Sequence, residues 1–365
     1  MIPLLAARIS PGALDFVAEV LASGYVGHGT VVADFKDELA AWLMCDADRL
    51  VLTNSCTSAL YLAVLLAGAH RIVTTPMTFI ATAAAICHAG AVPVWVDCEP
   101  HSCQMSVQLA VDSRRPRPVL AVAWAGWSPR LDALRETTFR YSAPVILDAA
   151  QALGAQYEGR PIHAWADFTA YSFSSTKHLT TGDGGALICP DAETAARAER
   201  MAWFGMRRWR KEGERVAVDQ DVTEIGFKFH MNNLDAAVGL AGLTDLDAAL
   251  ARCRANAEFY RSRLPLGAPQ NETPSPWVQT LFVDDPRAFM DHAASCGVEA
   301  GQPHRRVDAN SFDGSRGIQL PNVDWAQAHY VCVPVGWWVT DDDRQAILDA
   351  IQSYPGAWLW PNEGA

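Results

Sequence analysis

Between residues 30 and 190 the chain alternates helical and strand patterns, and this alternation restricts the fold more than any other feature of the sequence. Val31–Leu43 has apolar residues at helical spacing, Arg49–Thr53 is a short apolar run, and Thr57–Gly68 is helical again. Arg71–Thr75 reads as a strand closed by Pro76, and Thr78–Ala89 as a helix stopped by Gly90. Val92–Val96, Val119–Ala123, Val145–Leu147, Phe168–Phe173 and Gly185–Cys189 follow with strand character. Strands alternating with helices predict an α/β fold in which a mostly parallel sheet is covered by helices on both faces.

Beyond this region the rhythm changes. Leu234–Leu264 reads as one long helix ended by Pro265, Trp277–Val283 as a strand and Pro286–Cys296 as a helix. Tyr330–Val333 is a further strand, and Thr340 caps a last helix running to about Tyr354. The pattern predicts a large domain over residues 1–245, including the N-terminal segment, and a smaller α+β domain over 246–365, with the long helix carrying the join. A chain of 365 residues, 50% of them hydrophobic, has material for both cores.

In open α/β sheets, ligands bind beyond the carboxyl ends of the strands. Thr53-Asn54, Thr75-Pro76, Asp148 and Ser172 all fall at such ends, so residues distant in sequence converge on one crevice. Asp148 ends an apolar strand, where a carboxylate is costly without a partner. Lys177 follows the next strand, among hydroxyls and ahead of Gly182, Gly184 and Gly185. A lysine able to form a Schiff base, with an aspartate able to keep a pyridine nitrogen protonated, is equipment for pyridoxal phosphate. Asn54-Ser55-Cys56-Thr57-Ser58 joins a strand to a helix: either a phosphate cup of free N–H groups or an ordinary helix cap. Phe79 reads either as a ring that stacks on a flat cofactor or as a core residue. His28 lies in a glycine-rich loop and is either a turn residue or a catalyst. Trp203–Lys211, with Arg207 and Arg208, reads as a clamp for a diphosphate or carboxylate, or as a solvated arm or subunit contact. His304-Arg305-Arg306 carries the same two readings.

Composition narrows the partners. The formal net charge of -12 speaks against a nucleic-acid surface. Lys36, Lys177, Lys211 and Lys228 are the only lysines, so the basic residues are mostly arginines, whose planar fork suits small carboxylates and phosphates. The nine cysteines are scattered without a C-x-x-C pair, which predicts reduced thiols in the cytoplasm and no metal site. The longest apolar stretch, Ala59–Ala69, is too short to span a bilayer, and no signal peptide is evident at the start.

These residues together resemble the sugar aminotransferases of the DegT/DnrJ/EryC1/StrS family, over nearly the whole chain and in the expected order. Asn54-Ser-Cys-Thr-Ser-Ala is similar to the family's phosphate turn, and Pro76-Met-Thr-Phe79 to its segment carrying the ring-stacking aromatic. Asp148-Ala-Ala-Gln151 resembles the pyridine-binding signature, and Ser172-Phe-Ser-Ser-Thr-Lys177 the lysine segment with its phosphate-binding serine. The resemblance implies the PLP-dependent transferase fold type I with a seven-stranded sheet. It implies cofactor contacts at Cys56, Thr57, Phe79, Asp148, Gln151, Ser172 and Lys177, and a catalytic role for Lys177 and Asp148. Ile225–Asn233 resembles the segment that enters the neighbouring subunit's site, which implies a homodimer with shared active sites and a phosphate contact from the partner chain at Lys228, with His230 or Asn232 as alternatives. Substrate contacts are expected among His28, Arg207, Arg208, His304 and Arg305.

By the same resemblance, L-glutamate donates the amine, pyridoxamine phosphate is the intermediate cofactor form, and a keto-sugar, most often nucleotide-linked, accepts. Two departures stand out: Cys56 where many relatives have glycine, and Asp183 where glutamate is common. Relatives that use the pyridoxamine form for dehydration carry histidine in place of the lysine; this chain keeps Lys177, which favours amino transfer over a sugar dehydratase. Alternative readings are a keto-cyclitol or free keto-sugar acid as acceptor, and, more remotely, a non-catalytic cofactor-binding regulator.

Overall fold

The computed structural model describes residues 1–110, 117–207, 221–266, 272–312 and 318–359. Its strands in chain order are β1 Leu50–Thr53, β2 Arg71–Thr74, β3 Val92–Trp95, β4 Val119–Val122, β5 Val145–Asp148, β6 Gln156–Tyr157, β7 Arg160–Pro161, β8 Phe168–Ser172, β9 Gly185–Ile188, β10 Glu272–Thr273, β11 Gln279–Phe282 and β12 Tyr330–Val333. Its helices are α1 Ala13–Ser23, α2 Thr30–Leu43, α3 Cys56–Ala67, α4 Ile80–His88, α5 Val107–Ala110, α6 Leu131–Tyr141, α7 Ala192–Ala202, α8 Asn233–Leu243, α9 Leu246–Arg261, α10 Pro286–Ser295, α11 Pro321–His329 and α12 Asp341–Gln352.

Seven strands form one sheet in the order β1-β9-β8-β5-β4-β2-β3. The pairs β2–β3, β2–β4, β4–β5 and β5–β8 are parallel; β9 runs antiparallel to both β8 and β1. The expected mostly parallel sheet is thus present. Its strands read as unbroken apolar runs because both faces are buried. Val145 and Leu147 point into one core with Leu50, Leu52 and Ala121, while Ile146 points into the other with Val51, Leu120 and Leu187. Strand periodicity of two puts Asp148 on the Ile146 side, the side on which α3 and α4 pack.

The expected single helix over Leu234–Leu264 is two helices. α8 ends at Leu243 and α9 begins at Leu246, with Asp245 in a non-helical conformation between them. The break has a long-range cause that no local pattern carries. The buried guanidinium of Arg8 donates to the carbonyl of Gly242 at 2.6 Å, to the carboxylate of Asp245, and to the carbonyl of His178 at 3.2 Å. A cation from the N-terminal segment therefore satisfies the exposed end of α8.

The C-terminal part centres on the antiparallel pair β11–β12, in register Gln279 to Val333 through Phe282 to Tyr330. α12 begins with a capping box between Thr340 and Asp343. The first residues of the chain also pack there: Ile2 bridges Val298, and Leu4 donates its N–H to Glu299 at 2.9 Å. None of the described helices is long and apolar enough to cross a membrane.

Candidate active site

A cavity of about 460 Å³ opens at the carboxyl ends of the parallel strands, between the sheet and the C-terminal part. One wall is the start of α3. Ser55 caps this helix, accepting from the N–H of Ser58 at 3.1 Å, and Ser58 Oγ donates to Asn54 Oδ1 at 2.7 Å. The first helical N–H groups, at Cys56 and Thr57, have no intrahelical partner and border the cavity. That turn is pressed against β9: a Cβ on Gly185 would stand 2.5 Å from the backbone nitrogen of Cys56. Ser172 lines the same region, its Oγ within 3.3 Å of Ser174 Oγ.

The opposite end is built on β5. Asp148 is buried, with Oδ2 accepting from Thr82 Oγ1 at 2.7 Å and Oδ1 from the N–H of Ala150 at 3.1 Å. Burial pushes its carboxyl above the ordinary range, against these two hydrogen bonds and the nearby Lys177. Each oxygen keeps a lone pair for a further donor. Gln151 is fixed by the N–H of Ala125, which donates to its Oε1 at 2.7 Å, so its amide NH2 faces His304 Nε2 at 2.8 Å.

Lys177 enters from the loop between β8 and β9. Its Nζ lies 3.7 Å from the ring centroid of Trp277. Burial lowers its pKa to about 8, with Asp148 and Cys56 pulling the other way. Near neutral pH its proton can be lost and regained, which a Schiff-base lysine requires. His304 stacks on Trp277 with ring centroids 5.7 Å apart, and burial lowers its pKa to about 4.

The structure brings Cys56, Thr57, Phe79, Asp148, Gln151, Ser172, Lys177 and His304 to one cavity. Phe79 is more than half exposed at the rim, its ring tilted against His304 at 5.4 Å. His28 and Arg207 do not join them. They line a second cavity of about 370 Å³ beside Lys36, Glu199 and Trp203. Arg305 is exposed and outside the first cavity's lining, and Arg208 lies outside the described residues. Lys228 does not line its own chain's cavity; its carbonyl accepts from Asn54 Nδ2 at 3.3 Å, and its backbone bridges Trp203. Asn232 caps α8, and the His230 ring meets Trp203 edge-on at 4.2 Å. His178, next to the lysine, turns away and pairs with the carbonyl of Pro276 at 3.1 Å.

Sequence reasoning missed Thr82, Trp277 and the N-terminal Leu4 and Leu5, which reach the cavity or its acid. Thr78, just ahead of α4, and Thr82, in its first turn, have hydroxyls 2.7 Å apart, and two threonines four residues apart in an otherwise apolar run are a legible signal. Trp277 has none: it is one tryptophan among thirteen.

The residues fit pyridoxal phosphate on the chemistry of the site. A buried carboxylate with spare acceptor capacity, unpartnered helix N–H groups with a hydroxyl beside them, and a buried amine line one space of suitable volume. Together with the sheet, such a site defines a PLP-dependent enzyme of the aminotransferase fold. The chain belongs to the DegT/DnrJ/EryC1/StrS aminotransferase family, whose model matches residues 9–352. It is 33% identical in sequence to the sugar aminotransferase CalS13 from Micromonospora echinospora, whose crystal structure superposes with a TM-score of 0.90 over 97% of this chain and 100% of that one. It is 34% identical over 253 residues to the spore coat polysaccharide biosynthesis protein SpsC of Bacillus subtilis, a match spanning 67% of this chain but only 64% of that relative. A UDP-4-amino-4-deoxy-L-arabinose–oxoglutarate aminotransferase of Shewanella sediminis is 29% identical over 299 residues, 78% of this chain and 76% of that one.

Proposed function

We propose that this aminotransferase moves an amino group from L-glutamate to a keto-sugar, a nucleotide-linked keto-hexose, in amino-sugar biosynthesis in the cytoplasm. The observation that carries the reading is the presence of Lys177 and Asp148 in one buried cavity with the free start of α3. The bound cofactor supplies an electron sink for the carbon that gains or loses the amine. In this reading the N–H groups of Cys56 and Thr57 and the hydroxyl of Ser172 hold its phosphate, and Asp148 holds the pyridine N–H. Lys177 anchors the cofactor, then serves as the base and acid that moves a proton. Gln151 orients the ring from the side of His304. The UDP-linked sugar and the oxoglutarate named in the Shewanella relative support a nucleotide-linked acceptor and a glutamate donor, although that relative's sugar is a pentose.

The reading includes a homodimer. Lys228, His28 and Arg207 are not among the residues that line their own chain's cavity, and in a dimer with shared sites they serve the partner's. The retained Lys177 supports amino transfer rather than dehydration. A coupled assay for 2-oxoglutarate release from L-glutamate, run over a panel of keto-sugars, tests the proposal. Turnover with nucleotide-linked keto-hexoses is expected. Amination restricted to keto-cyclitols or free keto-sugar acids would overturn the acceptor class, and loss of a sugar hydroxyl without amine gain would overturn the reaction.

A further inference from the structure

Trp277 comes from the C-terminal half, just ahead of β11, and its indole face is the surface on which Lys177 Nζ rests, 3.7 Å from the ring centroid. The indole is fixed on two sides. Its Nε1–H donates to the carbonyl of Thr176 at 2.8 Å, one residue before the lysine, and His304 stacks on it nearly parallel, at 15°. Gln151 holds His304 in turn at 2.8 Å. Trp277 itself is only 5% exposed. A rigid, dry aromatic face beside a buried amine stabilises the protonated amine through the ring quadrupole, and the effect grows as water is excluded.

We propose that Trp277 is a positioning residue that seats Lys177 whenever the lysine is not bonded to the cofactor, holding its ammonium form over the indole while the proton is in transit. The proposal rests on the reading of Lys177 as the cofactor lysine. Among the described residues, the charged or titratable groups that share the cavity with Lys177 are Asp148 from β5, Cys56 from α3, Asp183 from the following loop and His304 from the C-terminal half, and the adjacent His178 also interacts with it electrostatically. Asp148 favours the ammonium and burial opposes it. The indole face adds to the first of these, so the amine is not locked in its neutral form.

The test uses full-length enzyme in the pyridoxamine phosphate form, in which Lys177 is free, with 13C at lysine Cε. Four lysines make the spectrum assignable, and the Lys177 resonance is titrated with pH. Trp277→Leu is expected to lower the titration midpoint by about half a unit to one unit, and Trp277→Phe, which keeps an aromatic face, by less. A purely structural role predicts the opposite sign: a loosened pocket admits water, relieves the burial of the ammonium and raises the midpoint. A raised or unchanged midpoint in Trp277→Leu, or equal shifts in the two variants, overturns the proposal. Borohydride reduction of the pyridoxal-loaded enzyme, followed by peptide mapping, separates this result from the reading beneath it. Labelling of a lysine other than Lys177 would defeat that reading whatever the titration shows.

Discussion

Half-buried Lys177 and buried Asp148 lie in one cavity, and burial shifts the pKa of each toward its neutral form. Replacing Lys177 by alanine is expected to remove the visible absorbance of a lysine-bound pyridoxal and to cut turnover by about a thousandfold or more, since the proposed function makes Lys177 the group that moves the proton. Full activity in that variant would show that another group moves the proton. Asp148→Asn keeps the shape but removes the charge that, in the proposed function, holds the pyridine N–H. Turnover should fall about a hundredfold or more. Thermal stability without cofactor should hold or rise, because a desolvated carboxylate has been neutralised. Both residues were legible in the sequence because each breaks its surroundings: an acid ending an apolar strand, a lysine in a chain that has four. Trp277 broke nothing, and Phe79 and His304 were legible only as alternatives whose resolution depends on neighbours far along the chain.

At the scale of elements, the site depends on how closely β9 approaches the start of α3. Gly185 makes that approach possible: an added Cβ would meet the Cys56 nitrogen at 2.5 Å and the Ser55 carbonyl carbon at 2.6 Å, both backbone atoms that cannot swing aside. Gly185→Ala should therefore displace the anion-facing N–H groups and weaken cofactor affinity tenfold or more, by about 1.4 kcal/mol or more. Gly12→Ala, where an added Cβ meets nothing within 4 Å, is the matched control. Cofactor titration by fluorescence distinguishes them, and equal affinity in the two variants would remove the argument from close packing. The strands were legible because a sheet buried on both faces needs continuous apolar runs. The α8–α9 break was not, because Arg8 reaches it from more than 230 residues away.

The whole molecule is joined across the cavity by contacts that use neutral imidazoles. His178 donates from Nε2 to the carbonyl of Pro276, leaving a buried Nδ1 without a partner, and His304 accepts from Gln151. Burial lowers the pKa of each to about 4, and that of His163 likewise. Protonation would give His178 a second N–H with nothing to receive it, and would turn the His304 acceptor into a donor facing an NH2 group. The linkage sign follows from proton counts. The unfolded chain, with histidine near 6.5, binds more protons than the folded one at any pH between about 6.5 and 4, so stability is present above that window and is lost as pH falls through it. A shift of this size is worth on the order of 3 kcal/mol per histidine at the bottom of the window. Asp148, raised by burial, acts with the opposite sign and offsets part of the loss. The melting temperature of the cofactor-free enzyme should therefore decline steadily from pH 6.5 toward pH 4. His178→Gln, whose amide can still donate to Pro276 without titrating, should flatten the decline. An unchanged slope in that variant would place the acid sensitivity elsewhere. None of this joint was legible in advance, since its partners, residue 178 with 276 and 151 with 304, are about a hundred residues or more apart and carry no periodic signal.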